Sequence, residues 1–190
     1  EDSLTLPNNC LLNDTRFIIK NKKNIILDLN GSTLTSNSFE SAIFIDSDDI
    51  NNVSSNIIVK NGNIIGYGTS IYVHRTITEN ELITLRNDPE GYYPQIQNTA
   101  PHHITFENIS FKNNKGTSIY VWLGSNHVTI NNCIIDGSRG VGLYLDTASF
   151  NNVVTNSTFK NCGYLNPDGS EKVGRGKREA IAIDGSYNNT

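Results

Sequence analysis

The sequence predicts an all-β fold, a right-handed single-stranded parallel β-helix built as a solenoid of three-strand coils. Three observations predict it. An internal repeat recurs about every 24 residues, a second strand motif keeps a fixed register with that repeat, and apolar residues alternate by two with almost no helical spacing.

The repeat is plainest in the second half of the chain. Asn108-Ile109-Ser110-Phe111 matches Asn132-Cys133-Ile134-Ile135 and Asn156-Ser157-Thr158-Phe159, and the two steps between them are equal. With insertions allowed, Asn30 before Gly31 and Asn61 before Gly62 hold the same position. It falls between short β runs such as Val128-Thr129-Ile130 and Ile134-Ile135, so it is a tight bend. Asn is normally depleted in strands but tolerates left-handed backbone, and its amide can bond to an Asn one coil away at a rung spacing of ~4.8 Å. A buried amide ladder is therefore expected. It would leave the sequons at Asn108 and Asn156 unavailable for glycosylation, and the sequon at Asn13 is a by-product of Asn richness.

The second motif recurs along the chain as Phe17-Ile18-Ile19-Lys20, Ile43-Phe44-Ile45-Asp46, Ile71-Tyr72-Val73-His74, Ile119-Tyr120-Val121-Trp122, Leu143-Tyr144-Leu145-Asp146 and Ile181-Ala182-Ile183-Asp184. Its fourth residue precedes the repeat Asn by one constant interval, Lys20 to Asn30, Trp122 to Asn132 and Asp146 to Asn156. A sandwich of antiparallel strands would not hold two such registers together and would need hairpin turns that the sequence lacks.

Strand alternation assigns the faces. With Ile43/Ile45, Ile71/Val73, Ile119/Val121, Leu143/Leu145 and Ile181/Ile183 inside, two columns point outward. One is Ile18, Phe44, Tyr72, Tyr120, Tyr144, Ala182; the other is Lys20, Asp46, His74, Trp122, Asp146, Asp184. Insertions frame this face. The stretch from His74 to Asn108 is far longer than the constant interval from Trp122 to Asn132, placing a long loop near positions 76–101. The stretch from Asn156 to Asp184 is double the uninterrupted one from Asn132 to Asp146, placing another loop near 163–178. Long loops of repeat proteins gather on the functional face.

That face suits a linear sugar polymer. Aromatic rings at Tyr72, Tyr120, Trp122 and Tyr144 can pack against pyranose rings, while carboxylates accept hydrogen bonds from hydroxyls. Glycoside hydrolysis needs two carboxylates, for which Asp146 pairs with Asp184 or with Glu179 at the mouth of the second insertion. A lyase or epimerase needs cations and a base instead, roles open to Arg75, to Arg178 of the cluster 175–178, and to His74 or Tyr120. The rival reading is a non-catalytic structural, adhesion or tailspike-like module whose aromatic column only supports cross-strand stacking.

Asn24-Ile25-Ile26-Leu27-Asp28-Leu29-Asn30-Gly31 and His127-Val128-Thr129-Ile130-Asn131-Asn132-Cys133 resemble the repeats of the pectate-lyase-like right-handed β-helix superfamily, over roughly 16–190. The resemblance implies the fold well and the function poorly, because that superfamily holds lyases, hydrolases, uronan epimerases, tailspikes and adhesins. The paired-Asp strings of polygalacturonases and the Asp-Pro-His string of alginate epimerases are absent.

A net charge of -4, from 15 Lys+Arg against 19 Asp+Glu, argues against nucleic acid as partner. No apolar run approaches the ~20 residues that span a bilayer. Cys10, Cys133 and Cys162 lack metal-site spacing and read as packed free thiols; His102 and His103 read as incidental, and no cofactor or metal is expected. A secreted, periplasmic or cell-surface location is expected. Positions 1–15 are assigned as a cap or lead-in, and 16–190 as the β-helix. The chain stops where another strand would begin, so a truncated solenoid is expected, one that continues past Thr190 or self-associates through its uncapped last coil.

Overall fold

A computed structural model describes residues 3–163, 166, 170, 171 and 179–190. Among them, strands β1 to β16 and two helices stand in chain order. Every pairing between these strands is parallel, as a solenoid that advances one rung per coil requires.

Three faces result. The first stacks β1 (Leu4–Thr5), β4 (Lys23–Asp28), the first half of β7 (Ser55–Ile65), the first half of β9 (His102–Lys112), β11 (Asn126–Asn131) and β14 (Val153–Thr155). The second stacks β2 (Leu11–Asn13), β5 (Thr33–Thr35), the remainders of β7 and β9, β12 (Ile134–Asp136) and β15 (Thr158–Lys160). The third is a six-stranded sheet of β3 (Phe17–Lys20), β6 (Ser41–Ser47), β8 (Thr69–Arg75), β10 (Ile119–Val121), β13 (Leu143–Asp146) and β16 (Ile181–Asp184). The lead-in segment thus supplies β1 and β2, rungs of the first two faces.

Alternation works as read as far as β13; Ile181 and Ile183, expected inside, are exposed at 40% and 59%, because β16 is an edge strand paired, among the described residues, only with β13. Ile43, Ile45, Ile71, Val73, Ile119, Val121, Leu143 and Leu145 are buried in one continuous core with Leu27, Val59, Phe106 and Ile130 from the first face. The three cysteines are free, and Cys133 is fully buried. Between the second and third faces the coils approach so closely that Gly68, Gly116 and Gly140 form a column. A Cβ on Gly68 would overlap the Phe39 carbonyl oxygen, and one on Gly116 would lie 2.6 Å from that of Gly68.

The bend between the first two faces is where the Asn repeat sits, and Asn30, Asn61, Asn108, Asn132 and Asn156 all take left-handed φ, from 48° to 60°. The ladder differs from expectation in two ways. It runs unbroken only through Asn132 Nδ2 to Asn108 Oδ1 (2.7 Å) and Asn108 Nδ2 to Asn61 Oδ1 (3.1 Å); Asn61 turns to Asp28, and Asn156 to Asn131. It is also outside rather than buried, since Asn108, Asn132 and Asn156 are exposed. The core is filled by the strand residues on either side, so the bend residue faces solvent. Asn132→Leu is therefore expected to cost about 1–2 kcal/mol through left-handed strain on a branched side chain. Urea unfolding should show Asn132→Gly to be milder; equal cost for both would place the effect in the lost amide bond.

The first insertion is not a loop. It folds into α1 (Glu79–Asn87) and α2 (Pro89–Thr99). Thr78 and Glu81 close a capping box at α1, and Asp88 caps α2 with Pro89 at its first position. Leu85, Tyr92 and Ile96 bury against Leu123 of the solenoid, with Trp122 packed at the edge of this second cluster. Gly124, at φ +74°, admits α2: a Cβ there would meet Ile96 Cγ2 at 2.7 Å. The second insertion lies largely outside the described residues, Arg178 among them.

Candidate functional site

The third face carries the aromatic column. Tyr72, Tyr120 and Tyr144 are register partners on β8, β10 and β13. One residue per rung at this position brings the rings together. Tyr72 and Tyr120 stack at 5.0 Å between centroids with 10° between planes, and Tyr120 and Tyr144 at 5.1 Å with 9°. Phe44 adds an edge contact to Tyr72 at 5.6 Å. Tyr120 is sandwiched on both faces, so its ring meets solvent by an edge. The expected packing of sugars on ring faces therefore does not apply to Tyr120, whose faces stabilise the sheet.

The hydroxyls of Tyr120 and Tyr144 reach one rung onward. Tyr120 Oη donates to Asp146 Oδ2 at 2.5 Å and Tyr144 Oη to Asp184 Oδ2 at 3.2 Å. Burial, then the hydrogen bond and charge of Asp146, push the Tyr120 phenol well above its ordinary value. Burial, followed by the charges of Asp146 and Asp46, does the same to Tyr72. Both rings stay neutral donors at any physiological pH. Asp146 also accepts from the backbone N–H and the hydroxyl of Thr147, at 2.7 and 2.9 Å, so both of its oxygens carry hydrogen bonds.

The neighbouring column diverges from an outward row. Asp46 is 1% exposed; it takes the backbone N–H and hydroxyl of Thr76 and lies 3.6 Å from Lys20 Nζ. His74 sits among Phe44, Tyr72 and Trp122, its Nδ1 buried 3.7 Å from Asp46 Oδ1. Burial lowers its pKa and outweighs the pull of Asp46, leaving a neutral ring. Trp122 is half-buried at the edge of the helical hairpin.

Arg75, expected to meet substrate, is 6% exposed and bonds to Glu81 Oε1 at 2.6 Å. Tyr92 Oη donates to the same oxygen at 2.9 Å. Burial of Glu81 opposes its charge, but the Thr78 backbone, Arg75, Tyr92 and the Thr78 hydroxyl prevail and hold the carboxyl at about 2. Arg75 and Glu81 therefore anchor the hairpin to the solenoid.

One cleft brings together predicted residues. It measures about 390 Å³ and is lined by Val141, Tyr144, Glu179, Ile181, Ala182, Ile183 and Asp184. It exists because the tyrosine column meets Ala182 at the next rung, where a methyl occupies the place of a ring. Asp146 and Asp184 are register partners on adjacent rungs, yet only Asp184 lines the cleft, with Glu179. His74, Tyr72, Trp122 and Arg75 lie toward the hairpin instead.

The hairpin is the part of this face that alternation by two could not reveal. Its signals were local ones: Thr78-Glu79-Asn80-Glu81 as a capping box, and Asp88-Pro89-Glu90 as a cap followed by proline.

A family model described as a right-handed β-helix region matches residues 63–190. The chain belongs to that family. The coils that precede Asn63 continue the same registers, β4 against β7 and β6 against β8, so this β-helix begins well before the matched span. No curated protein matches the chain. Among the described residues no helix of the β-helix protein is long and apolar enough to cross a membrane.

Proposed function

We propose that this β-helix binds a polysaccharide across its third face, with a sugar ring seated in the Tyr144–Ala182 cleft. The observation that carries the reading is the cleft's lining. A ring-sized space continues an aromatic column, with apolar walls from Tyr144, Ala182 and Ile183 and two carboxylates, Glu179 and Asp184, in its lining. Carbohydrate sites pair an apolar floor with convergent acceptors in this manner. A solenoid of equally spaced rungs offers a polymer further contacts along the column, and such a protein acts where polysaccharide is, at or beyond the cell surface.

A hydrolytic reading draws on one further observation, that Glu179 and Asp184 share the cleft, since acid and base carboxylates must flank a scissile bond. Lyase or epimerase chemistry gains no support from Arg75 and His74, which are held under or beside the hairpin.

The test is affinity electrophoresis of the protein in gels containing a neutral glucan, a mannan, polygalacturonate or alginate. Retardation by at least one is expected, with Tyr144→Ala or Asp184→Asn weakening it by about tenfold or more while thermal unfolding stays cooperative. Migration unchanged in all four would favour the non-catalytic structural module. Release of reducing ends, abolished in Glu179→Gln, would add hydrolysis to binding.

A further inference from the structure

Three of the chain's four histidines meet at one corner of the solenoid, away from the cleft. The corner joins the third face to the first, and its residues take left-handed backbone on each rung: Asn24, Asn56, His103, His127, Asn151 and Asn188, with φ from 51° to 58°. Asn is what such a bend favours. The two histidines interrupt an asparagine column, as the amide bond from Asn56 Nδ2 to Asn24 Oδ1 at 3.1 Å shows on the rungs before them. The bend does not need an imidazole; the histidines add a group that titrates.

The imidazoles lie against one another. His103 and His127 stack face to face at 4.7 Å with 5° between planes, and His102 Nδ1 lies 2.7 Å from His103 Nδ1. The charged and titratable groups facing the cluster are His102 and His103 on β9, His127 on β11 and Lys23 on β4. β7 supplies Ser55 and Asn56 at the adjoining positions, and Phe150 and Asn151 pack beside His127 from the next rung. Among the described residues none of the three histidines forms an ion pair, and no set of three His, Cys, Asp or Glu side chains is arranged to hold a metal. Burial, followed by the neighbouring histidines, holds His102 and His127 below their ordinary values.

The corner is tied to the hairpin. α2 ends at Thr99 with Ala100 as its C-cap, and Pro101 leads straight into His102. His127 Nδ1 lies 2.6 Å from Asn126 Oδ1, and Asn126 Nδ2 donates to the carbonyls of Gly124 (2.8 Å) and Gln97 in α2 (3.3 Å). With Nδ1–H donating to Asn126, Nε2 of His127 is the acceptor for Asn151 Nδ2 at 3.3 Å.

We propose that this corner is an acid-sensitive latch, which holds the C-terminal end of α2 on the solenoid while the imidazoles are neutral and loosens it when they are protonated. Protonation places like charges on stacked rings, converts His127 Nε2 from acceptor to donor so that Asn151 loses its partner, and turns the His102–His103 contact into two opposed N–H groups. With the folded values of His102 and His127 below the ordinary 6.5, the latch is complete above that pH and weakens as pH falls through the lowered values. It acts on the hairpin alone, whatever the cleft binds.

Hydrogen exchange of the α2 amides, corrected for intrinsic rate, tests it between pH 7.5 and 5, with emission of the single tryptophan, Trp122, followed in parallel. Wild type should show α2 exchange faster by about tenfold at the acid end, with a midpoint below 6.5. The double variant His103→Asn/His127→Asn restores the asparagine of the other rungs, so it should fold and lose the transition. His74→Gln, which removes the imidazole beside Trp122, should retain it in the exchange data. Flat α2 exchange in wild type, or an unchanged transition in the double variant, overturns the proposal.

Discussion

Replacing Glu81 with alanine is expected to detach the helical hairpin at a cost on the order of 3 kcal/mol, while the solenoid core stays folded. Three contacts fail at once. The capping box at Thr78 opens, Tyr92 loses its acceptor, and the Arg75 guanidinium, one of whose buried nitrogens already has no partner among the described residues, is left uncompensated. Glu81→Gln keeps the shape and part of the hydrogen bonding, so it should fall between. The readout is emission of Trp122, which packs on the hairpin's cluster and should shift to the red. Acid should act likewise in wild type. The carboxyl is held at about 2 against an ordinary 4.5, so its contribution is complete above 4.5 and disappears as pH falls toward 2. A variant as well protected from exchange in α1 and α2 as wild type would show that apolar packing alone holds the hairpin.

Phe106→Ala is expected to destabilise the whole solenoid by about 3–5 kcal/mol. Phe106 is 0% exposed and lies between Val59 and Ile130 in register. Rung spacing is set by backbone hydrogen bonds on both sides, so the neighbouring coils cannot close over the cavity. Phe106→Leu should cost under about 1.5 kcal/mol. Chemical denaturation followed by circular dichroism distinguishes the two; equal losses would mean that the ring's volume is not what the core requires.

The architecture is legible in the chain itself. A coil repeats its environment every rung, so each local choice recurs as a readable column: Asn at the outer bend, apolar pairs flanking Tyr72, Tyr120 and Tyr144, and constant offsets between the two motifs whose departures locate both insertions. Faces and register follow because a strand's side chains alternate and a one-residue slip would expose the core. What the columns do was settled by packing between distant segments. Alternation marks a residue as outward but cannot show what comes to lie over it, and for Asp46 and Trp122 the answer is Thr76 and the hairpin. Nor does a column of tyrosines show whether its faces are open: ring planes nearly parallel at rung spacing close them for Tyr120. The cleft depends on one small residue, Ala182, meeting Glu179 from beyond the second insertion, beside a tyrosine that lies before it, a contact across a gap in sequence that no local pattern encodes.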